Sequence, residues 1–406
     1  MPAPIVIVGA SHTGAALADA LHREKWAGSI VLIGDERTLP YHRPPLSKDY
    51  LAGTMDDDRL PIRDASFFTE RGIEVKLGRR VAAVDRAAKT VRTDDGDAIV
   101  YTGLAFATGA RPRQLGVPGE NLAGVFMLRT IDDVRGIRAH LDQTKTAVIV
   151  GGGFIGLECA ASLKKLGKQV TVLEARERLM PRVVPPLISD FYMKLHADHG
   201  VDVLCNAGVT ELIGENGRVT GVVRTDGSIL PADLVVVGVG VVPNIELAQD
   251  CGLACDNGIV VDEFARTSDP AIVAAGDCAN HPNRYLGGRC RLESVQNATD
   301  QARSAAASLV GKQVLYDVVP WFWSDQYDVK LQMVGTSMGH TEHAIRGDIA
   351  ARKFSAFYFR DGTLTGVDSL NAPIDHMAAR KLIATGVPLR PAQAADPSFD
   401  LRTLKA

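Results

Sequence analysis

The stretch "AVIVGGGFIG", residues 147–156, places three glycines at a fixed spacing directly after a short apolar run. Gly151, Gly153 and Gly156 match G-x-G-x-x-G, a pattern that lets a dinucleotide pyrophosphate approach the amino end of a helix. The helical spacing of "GLECAASLKKLG" and the apolar run "QVTVLE" complete a βαβ unit. Glu174 ends this unit roughly 20 residues beyond the glycines, where a carboxylate accepts hydrogen bonds from a ribose.

A second, imperfect copy of the pattern lies near the amino end in "IVIVGASHTG", residues 5–14. Gly9 and Gly14 are in register, but Ser11 replaces the middle glycine. A serine side chain is small and its hydroxyl can donate to a phosphate, so we interpret this copy as altered but functional. The next strand, "SIVLIGDE", ends in Asp35 and Glu36, and either could accept bonds from a ribose. Two copies a whole domain apart predict two dinucleotide-binding domains.

The acid of the second copy bears on the choice between NADH and NADPH. A carboxylate at Glu174 accepts bonds from a ribose 2′-hydroxyl but repels a 2′-phosphate, which favours NADH. Arg176, Arg178 and Arg182 follow closely, and an arginine there could serve a phosphate instead. We therefore expect a preference for NADH and leave the contribution of the arginines open.

Composition excludes several classes of protein. The chain has 406 residues, 46% hydrophobic and 23% charged, which is typical of a globular protein of two or three domains. The formal net charge of −3 and the absence of a basic block argue against a nucleic-acid partner. The sequence shows no secretory signal and no apolar run of ~20 residues, so we expect a cytoplasmic protein that does not span a membrane.

Two further strand ends resemble turns that close around a flavin. "LAFATGARP" turns at Thr108 and Gly109, and "TSDPAIVAAGDCA" ends at Gly276 and Asp277. With these segments and the motifs "YHRPPLSKDYLAG", "LPADLVVVGVGVVPN", "ESVQNATDQAR" and "PWFWSDQYDVKLQMVG", the chain resembles, over essentially its full length, NAD(P)H-dependent ferredoxin reductases of the putidaredoxin reductase and biphenyl-dioxygenase reductase family.

This resemblance implies a fold class and a domain division. The fold would be α/β, a glutathione-reductase-like flavoprotein with two dinucleotide-binding domains and a C-terminal α+β domain. The FAD domain would be discontinuous, formed by residues 1–113 and 244–319. The NADH domain would span residues 114–243, and the α+β domain residues 320–406.

The resemblance also implies FAD and NADH as cofactors and assigns roles by position. FAD contacts are implied for Gly9, Gly14, Asp35, Arg43, Lys48, Arg129 and Asp277. Further cofactor-binding positions are Ser11, Thr108, Gly109, Ile155, Arg182, Gly240 and Val295, together with the glycines and the acid of the second copy. No metal site is expected.

Three residues are expected to act in catalysis. Lys48 would lie on the N5 side of the flavin, stabilise negative charge on the reduced ring and pair with Glu158. Trp323, from "PWFW", would lie beside the flavin. Simpler alternatives are a solvated loop lysine, an acid favoured by a helix dipole and an aromatic core cluster.

The cysteines argue against a thiol mechanism. None of the six forms a C-x-x-C pair, and the first, Cys159, comes far too late for the early redox cysteines of disulfide reductases on this fold. The segment "RPPLSK" offers only Ser47 where related NADH oxidases and coenzyme A disulfide reductases carry a cysteine. Electrons are therefore expected to leave the flavin without a protein thiol.

The resemblance implies electron transfer from NADH through FAD to a two-iron ferredoxin that serves an oxygenase, such as a haem-thiolate monooxygenase. Alternatives are an NADH:quinone oxidoreductase and an interaction protein related to apoptosis-inducing factor. The second would carry a basic surface, which the net charge disfavours. Because such ferredoxins are usually acidic, we expect a local basic patch, with Arg289, Arg291, Arg303 and Lys330 as candidates.

Overall fold

The computed structural model describes residues 3–404 and divides into two compact units. The first unit comprises Met1–His42, Asp57–Arg111 and Val242–Phe322. The second comprises Arg43–Asp56, Pro112–Val241 and Trp323–Ala406. The second unit thus holds the segment around Lys48, the second glycine pattern and the C-terminal region. The four-part domain division from the sequence stays a prediction.

The helices and strands of the described part are as follows. The helices are α1 His12–Arg23, α2 Ala65–Glu70, α3 Ile131–His140, α4 Phe154–Lys165, α5 Pro186–Asp198, α6 Glu246–Asp250, α7 Val295–Leu309, α8 Pro373–Thr385 and α9 Pro391–Ala395. The strands are β1 Ile5–Val8, β2 Ile30–Gly34, β3 Ile73–Leu77, β4 Val81–Asp85, β5 Thr90–Thr93, β6 Ala98–Val100, β7 Gly103–Phe106, β8 Ala110–Pro112, β9 Val125–Met127, β10 Thr146–Val150, β11 Gln169–Leu173, β12 Asp202–Leu204, β13 Val209–Glu215, β14 Arg218–Arg224, β15 Ile229–Pro231, β16 Leu234–Val237, β17 Val241–Pro243, β18 Ile259–Val260, β19 Ile272–Ala274, β20 Ala279–Asn283, β21 Gly288–Cys290, β22 Trp321–Gln326, β23 Val329–Gly335, β24 Glu342–Asp348, β25 Lys353–Arg360 and β26 Thr363–Leu370.

The first unit is built on a parallel sheet with the strand order β19-β7-β1-β2-β3. The central strand β1 is buried on both faces, as expected for a parallel sheet covered on both sides. Ile5 and Ile7 pack in one core cluster with residues of α1 and α7, while Val6 and Val8 pack in another with Leu104 and Phe106 of β7. An uninterrupted apolar run was therefore the correct signal for this strand.

The second unit repeats this arrangement with the strand order β12-β11-β10-β16-β9, again all parallel. In both sheets the strand before the glycine pattern is central, and the next strand in the chain lies beside it. The two βαβ units predicted from the sequence are therefore present, one in each unit.

The same backbone geometry recurs at the first glycine of both copies. Gly9 and Gly151 both have φ of +115°, a conformation that side chains rarely adopt. A Cβ at Gly9 would lie 2.1 Å from the Ala107 carbonyl oxygen, and one at Gly151 would lie 2.3 Å from that of Gly238. These glycines are thus required by the protein itself, because the strand-to-helix turn passes against a neighbouring backbone.

The two copies differ in a compensating way beside the turn. The register pairs Val8 with Ile33 in one sheet and Val150 with Leu173 in the other, so Gly34 occupies the place that Glu174 has in the second copy. A Cβ at Gly34 would lie 2.5 Å from the Cβ of Ala10. In the second copy the residue equivalent to Ala10 is Gly152, which leaves room for the larger Glu174. In the first copy the first acid after the strand therefore comes one residue later, at Asp35.

The C-terminal region forms a five-stranded sheet with the order β22-β23-β26-β25-β24, to which the second unit contributes from Trp323 onward. The helix α8 packs on β26 and β23 and ends at Gly386, a left-handed cap residue. Among residues 3–404, no helix is long and apolar enough to cross a bilayer.

The close approach of Ala10 to Gly34 gives a stability prediction. We expect Gly34→Ala to lower the free energy of unfolding by about 1–3 kcal/mol, because the added methyl group meets Ala10 in a closely packed strand. The double variant Ala10→Gly/Gly34→Ala should recover most of that loss. Chemical denaturation of the FAD-loaded protein, followed by circular dichroism, measures both effects.

A matched control is Gly288→Ala in β21, where the described residues leave the space around a new Cβ open. This variant should unfold like the wild type. A Gly34→Ala loss that persists in the double variant would mean that contacts other than Ala10 determine the glycine.

Candidate functional site

The second glycine pattern forms a strand-to-helix turn with free space at its middle position. Gly153 is the N-cap of α4, the first turn of which contains no acidic residue. Among the described residues, no heavy atom lies within 4 Å of a Cβ built at Gly153, whereas one at Gly156 would lie 2.1 Å from the Gly151 carbonyl oxygen. The free backbone N–H groups and the helix dipole therefore face a space that suits a pyrophosphate. Ile155, 40% exposed, presents an apolar side chain from the same turn.

Glu174 is held rigidly beside this turn. One carboxylate oxygen accepts a hydrogen bond from the Gly152 N–H at 2.8 Å, and the other accepts from the Arg176 N–H at 2.9 Å. A carboxylate has about four acceptor positions, so capacity remains for ribose hydroxyls. Glu174 therefore lies beside the dinucleotide turn, and its contact with a ribose stays a prediction.

The three arginines that follow Glu174 have different environments. Arg178 is used inside the chain, since its guanidinium donates to the carbonyl oxygens of Val184 and Pro181 and to the Ser189 hydroxyl. Arg176 and Arg182 are exposed. A Cβ at Gly240 would lie 3.4 Å from Arg182 Nη2, so these two predicted cofactor-binding residues are neighbours. At most two of the three arginines are placed to meet a phosphate.

The first glycine pattern is completed by the segment around Asp277. Gly276 has φ of +80°, and a Cβ there would lie 2.2 Å from Thr13 Oγ1, in the first turn of α1. The Gly276 N–H donates to Gln301 Oε1 of α7 at 2.8 Å. The structure therefore brings the segment that carries Asp277 to the amino end of α1.

Ser11 is the N-cap of α1, and its carbonyl oxygen accepts the Ala15 N–H at 2.9 Å. In the second copy the equivalent Gly153 borders open space, so this position tolerates a side chain as far as the protein is concerned. With Gly9 and Gly14 in place and no acid in the first turn of α1, the residues fit a dinucleotide pyrophosphate here too.

The acids after β2 separate into two roles. Glu36 accepts a hydrogen bond of 2.5 Å from the Tyr41 hydroxyl and is partly buried. Asp35 is exposed. Of the two candidates that the sequence left open, Asp35 is therefore the better placed to meet a ribose.

Thr108 and Gly109 form a turn that is bound to Asn244 in the same unit. The Thr108 hydroxyl donates to the Asn244 carbonyl oxygen at 2.6 Å, and the Asn244 amide donates back to the Thr108 carbonyl oxygen at 2.9 Å. The Gly109 carbonyl oxygen also accepts the Asn244 N–H at 3.0 Å, so the Thr108 side chain and the carbonyl groups of this turn are all engaged inside the chain. Val295 is the first residue of α7, and the Ser294 hydroxyl caps that helix by accepting the Asn297 N–H at 3.0 Å.

Lys48, which is partly buried, and Glu158, which is buried, form an ion pair inside the second unit. Lys48 Nζ lies 2.6 Å from Glu158 Oε2 and also donates to the Pro44 carbonyl oxygen at 3.2 Å. The Ser47 hydroxyl donates to the same Glu158 oxygen at 2.6 Å, and the Ser324 hydroxyl donates to Oε1 at 2.7 Å. The predicted pairing is therefore present, and neither a solvated lysine nor an exposed helix-terminal acid describes it.

Ser47 and Ser324 were not among the predicted site residues. Ser324 directly follows Trp323, so the β22 residue that binds Glu158 neighbours the predicted aromatic one. Because successive strand residues lie on opposite faces, Trp323, which is partly buried, lies on the face of β22 opposite to Ser324. A serine beside a recognised motif residue was the only sequence signal for this contact.

Arg43 and Arg129 also come together. Arg43 Nη1 donates to the Arg129 carbonyl oxygen at 2.6 Å, and the Arg129 N–H donates to Asp133 Oδ2 at 3.0 Å. Asp133 forms a capping box with Thr130 at the start of α3. The second unit thus holds Arg43, Lys48, Arg129, Glu158 and Trp323, while the first holds the other predicted FAD contacts.

The six cysteines are free thiols, and none is poised as a nucleophile. Burial raises the pKa of Cys159 to about 12 and that of Cys290 to about 11. Burial also raises the pKa of Cys205, Cys251, Cys255 and Cys278 above the ordinary value. A raised thiol pKa favours the protonated form at neutral pH, so reactive thiolate is scarce.

The candidate basic docking residues are mostly engaged within the chain. The Arg291 side chain is 9% exposed and lies 2.7 Å from Glu293, so it offers little charged surface, and its docking role stays a prediction. Arg289 donates to the backbone carbonyl oxygens of Val261 and Asn280. Arg303 pairs with Asp300 and Lys330 with Asp325, but both remain largely exposed.

Comparison with known proteins identifies the family. Residues 3–302 match the model of the pyridine nucleotide-disulphide oxidoreductases, and residues 321–405 match the reductase C-terminal domain. The chain therefore belongs to the pyridine nucleotide-disulphide oxidoreductase family, and the predicted fold class is confirmed.

Similar proteins extend over the full length. The chain is 47% identical to rhodocoxin reductase of Rhodococcus erythropolis, covering 98% of this chain and 93% of that protein. Its structure matches that of the ferredoxin reductase for the CYP199A2 system of Rhodopseudomonas palustris with a TM-score of 0.96 and 46% identity, covering 98% and 99% of the two chains. It also matches the reductase in the covalent putidaredoxin reductase–putidaredoxin complex with a TM-score of 0.95 and 40% identity, covering 98% and 97%.

The state of the thiols gives a prediction. A variant with Cys159 and Cys278 changed to alanine and the other four cysteines changed to serine should reduce ferricyanide with NADH within about twofold of the wild-type rate, because no thiolate takes part. Alkylation of the wild type with iodoacetamide should likewise leave the rate unchanged. Steady-state kinetics on the flavin-loaded proteins measures both.

Circular dichroism and the flavin spectrum show whether the variant is folded and loaded. If a folded, flavin-loaded variant is no longer reduced by NADH, a thiol takes part and the mechanism without thiols is wrong.

Proposed function

We propose that the protein is an FAD-dependent reductase that takes electrons from NADH and delivers them to a two-iron ferredoxin, which serves an oxygenase such as a haem-thiolate monooxygenase. The observation that carries this proposal is the full-length similarity, at 40–47% identity, to reductases named for redoxin partners. The site supports this function with two glycine patterns, a Lys48–Glu158 ion pair and six thiols of raised pKa. We place the protein in the cytoplasm.

Each of the two glycine patterns would bind a different cofactor. In the first unit, Gly9, Ser11, Gly14 and Asp277 would hold FAD at the amino end of α1. In the second unit, the turn at the start of α4 would bind the NADH diphosphate, and Glu174 would accept bonds from the ribose. When bound, FAD supplies the conversion of a two-electron donation into single-electron steps.

Lys48 contributes a fixed positive charge. Its Nζ is held by Glu158 and the Pro44 carbonyl oxygen, so the ammonium group is oriented before any ligand binds. A preoriented cation stabilises negative charge on a reduced ring without reorganisation at the moment of reaction. The role of Lys48 next to the flavin stays part of the proposal.

The alternatives are less well supported. A disulfide reductase needs a reactive thiol, and burial holds the thiols of this chain in the protonated form. A quinone reductase shares the fold, but the similar proteins above are reductases of redoxin proteins. The net charge of −3 disfavours an interaction protein with a basic surface.

The position of Glu174 predicts the preference for NADH. We expect Glu174→Gln to lower kcat/KM for NADH about tenfold and to narrow the NADH/NADPH ratio by at least that factor, because hydrogen bonds to a charged group are the strong ones. The glutamine keeps the shape and one acceptor oxygen while it removes the charge. Steady-state kinetics with ferricyanide as acceptor measures the ratio.

Glu177→Gln, at an exposed glutamate in the same segment, is the matched control and should leave the ratio unchanged. Equal or better efficiency of the wild type with NADPH would mean that Arg176 and Arg182 override the acid.

The ferredoxin assignment is tested by comparing acceptors across ionic strength. We expect reduction of a two-iron ferredoxin from the source organism to fall by at least about tenfold from low to high salt, because opposite surface charges steer the encounter. Reduction of a small neutral quinone should change little. The flavin spectrum, recorded first, confirms that the protein is loaded with FAD.

Efficient turnover of a quinone together with failure of every ferredoxin tried would replace the proposed function by the quinone alternative. Ferredoxin reduction that is insensitive to salt would retain the function but remove the charged docking surface.

A further inference from the structure

A line of buried polar side chains leads away from the oxygen of Glu158 that does not bind Lys48. The Ser324 hydroxyl donates to Glu158 Oε1 at 2.7 Å, and Gln326 Nε2 donates to Ser324 Oγ at 3.1 Å. His196 Nε2 lies 2.9 Å from Gln326 Oε1, and the Tyr327 hydroxyl lies 3.3 Å from His196 Nδ1. All of these residues belong to the second unit.

The hydrogen bonds of this line all donate in the same direction. Gln326 uses its amide N–H toward Ser324, so its oxygen has to accept, and His196 Nε2 therefore carries a proton. In a neutral His196 the other ring nitrogen, Nδ1, carries no proton, so it accepts a hydrogen bond from the Tyr327 hydroxyl. Every hydrogen bond in the line thus donates toward Glu158, and hydrogen bonds that point the same way strengthen one another.

The surroundings of His196 agree with this assignment. His196 is 0% exposed, and burial lowers its pKa to about 4, so the ring is neutral at physiological pH. Ser324 and Gln326 are also almost fully buried, at 0% and 1%. They lie two residues apart in β22 and hence on the same face of the strand.

The two ends of the Glu158 carboxylate are therefore held by different segments of the chain. Oε2 accepts from Ser47 and Lys48, which lie in one segment, and Oε1 accepts from Ser324. A carboxylate bound at only one oxygen can rotate about its terminal bond, whereas binding at both oxygens fixes its plane. The buried line thus determines where Oε2 points.

We propose that Ser324, Gln326 and His196 are positioning residues that hold the Glu158 carboxylate in the orientation that fixes the Lys48 ammonium group. The proposal rests on the proposed function in assigning a task to Lys48, but the arrangement itself concerns only residues of this chain. The hydrogen bonds of the three residues lead to Glu158 and not to Lys48, so they act on the ammonium group through the carboxylate.

The proposal is tested with a double-mutant cycle on the FAD-loaded protein. The variants are Ser324→Ala, Glu158→Gln and the two combined, with Gln326→Met as a second break in the line. The first readout is the rate at which Lys48 reacts with an amine-selective ester, measured by peptide mass spectrometry. Lys194, 77% exposed, is the internal reference in each digest. The second readout is the rate of flavin reduction by NADH in stopped-flow.

We expect Ser324→Ala to raise the labelling rate of Lys48 by at least about threefold and to slow flavin reduction by a similar factor, as for groups coupled in one network. Gln326→Met should act in the same direction. In the Glu158→Gln background, Ser324→Ala should add nothing, because its effect passes through that carboxylate. If Ser324→Ala only disturbed the fold, it would change both readouts equally in the wild-type and the Glu158→Gln backgrounds.

Ser369→Ala is the matched control, since Ser369 is equally buried, in β26, and bonds to the Ser355 hydroxyl rather than to Glu158. It should leave both readouts unchanged. Labelling of Lys48 in Ser324→Ala that equals wild type, or an increase that persists undiminished in Glu158→Gln, overturns the proposal. Because labelling needs no electron acceptor, these outcomes are independent of whether the wild type reduces a ferredoxin.

Discussion

The candidate site depends on one buried carboxylate. Glu158, in the second turn of α4, is 5% exposed and accepts hydrogen bonds from two separate segments of the chain. Four residues further along the helix, the Ser162 hydroxyl donates to the Ser47 carbonyl oxygen at 2.7 Å. The helix that begins at the dinucleotide turn thus also anchors the Lys48 segment and β22. An unpaired carboxylate in this place would be costly, so the segments that supply its donors are held together by its charge.

Much of the fold was predictable because it follows from backbone geometry. The first and third glycines of each pattern stand where a Cβ would strike a carbonyl oxygen, so any sequence that forms this turn must show them. The apolar runs of β1 and β10 follow equally directly from burial on both faces of a sheet. The first copy places Ala10 against Gly34, whereas the second places Gly152 against Glu174. This difference was not predictable, because it depends on which residues lie opposite each other across two strands.

The site was predictable only in part, for a related reason. Lys48, Glu158 and Trp323 were identified by resemblance, and the structure brings the first two into contact. Ser324, Gln326 and His196 carry no motif of their own, and serine and glutamine are ordinary surface residues. Their importance arises from long-range contacts, such as that between His196 and Gln326, which are 130 positions apart. No local pattern reports such a pair.

The arginines near the binding motifs stabilise the loops that carry those motifs. Arg289 and Arg291 were candidates for a basic docking patch, and both donate to backbone carbonyl oxygens near the Asp277 segment. Arg178 does the same in the loop after Glu174. Irregular loops around a site leave carbonyl groups without regular partners, and a guanidinium with five donors in a fixed fork satisfies several at once. Arginines next to a binding motif thus support its loops, so the exposed fraction of the guanidinium, and not its distance from the motif along the sequence, separates Arg291 at 9% from Arg303 at 63%.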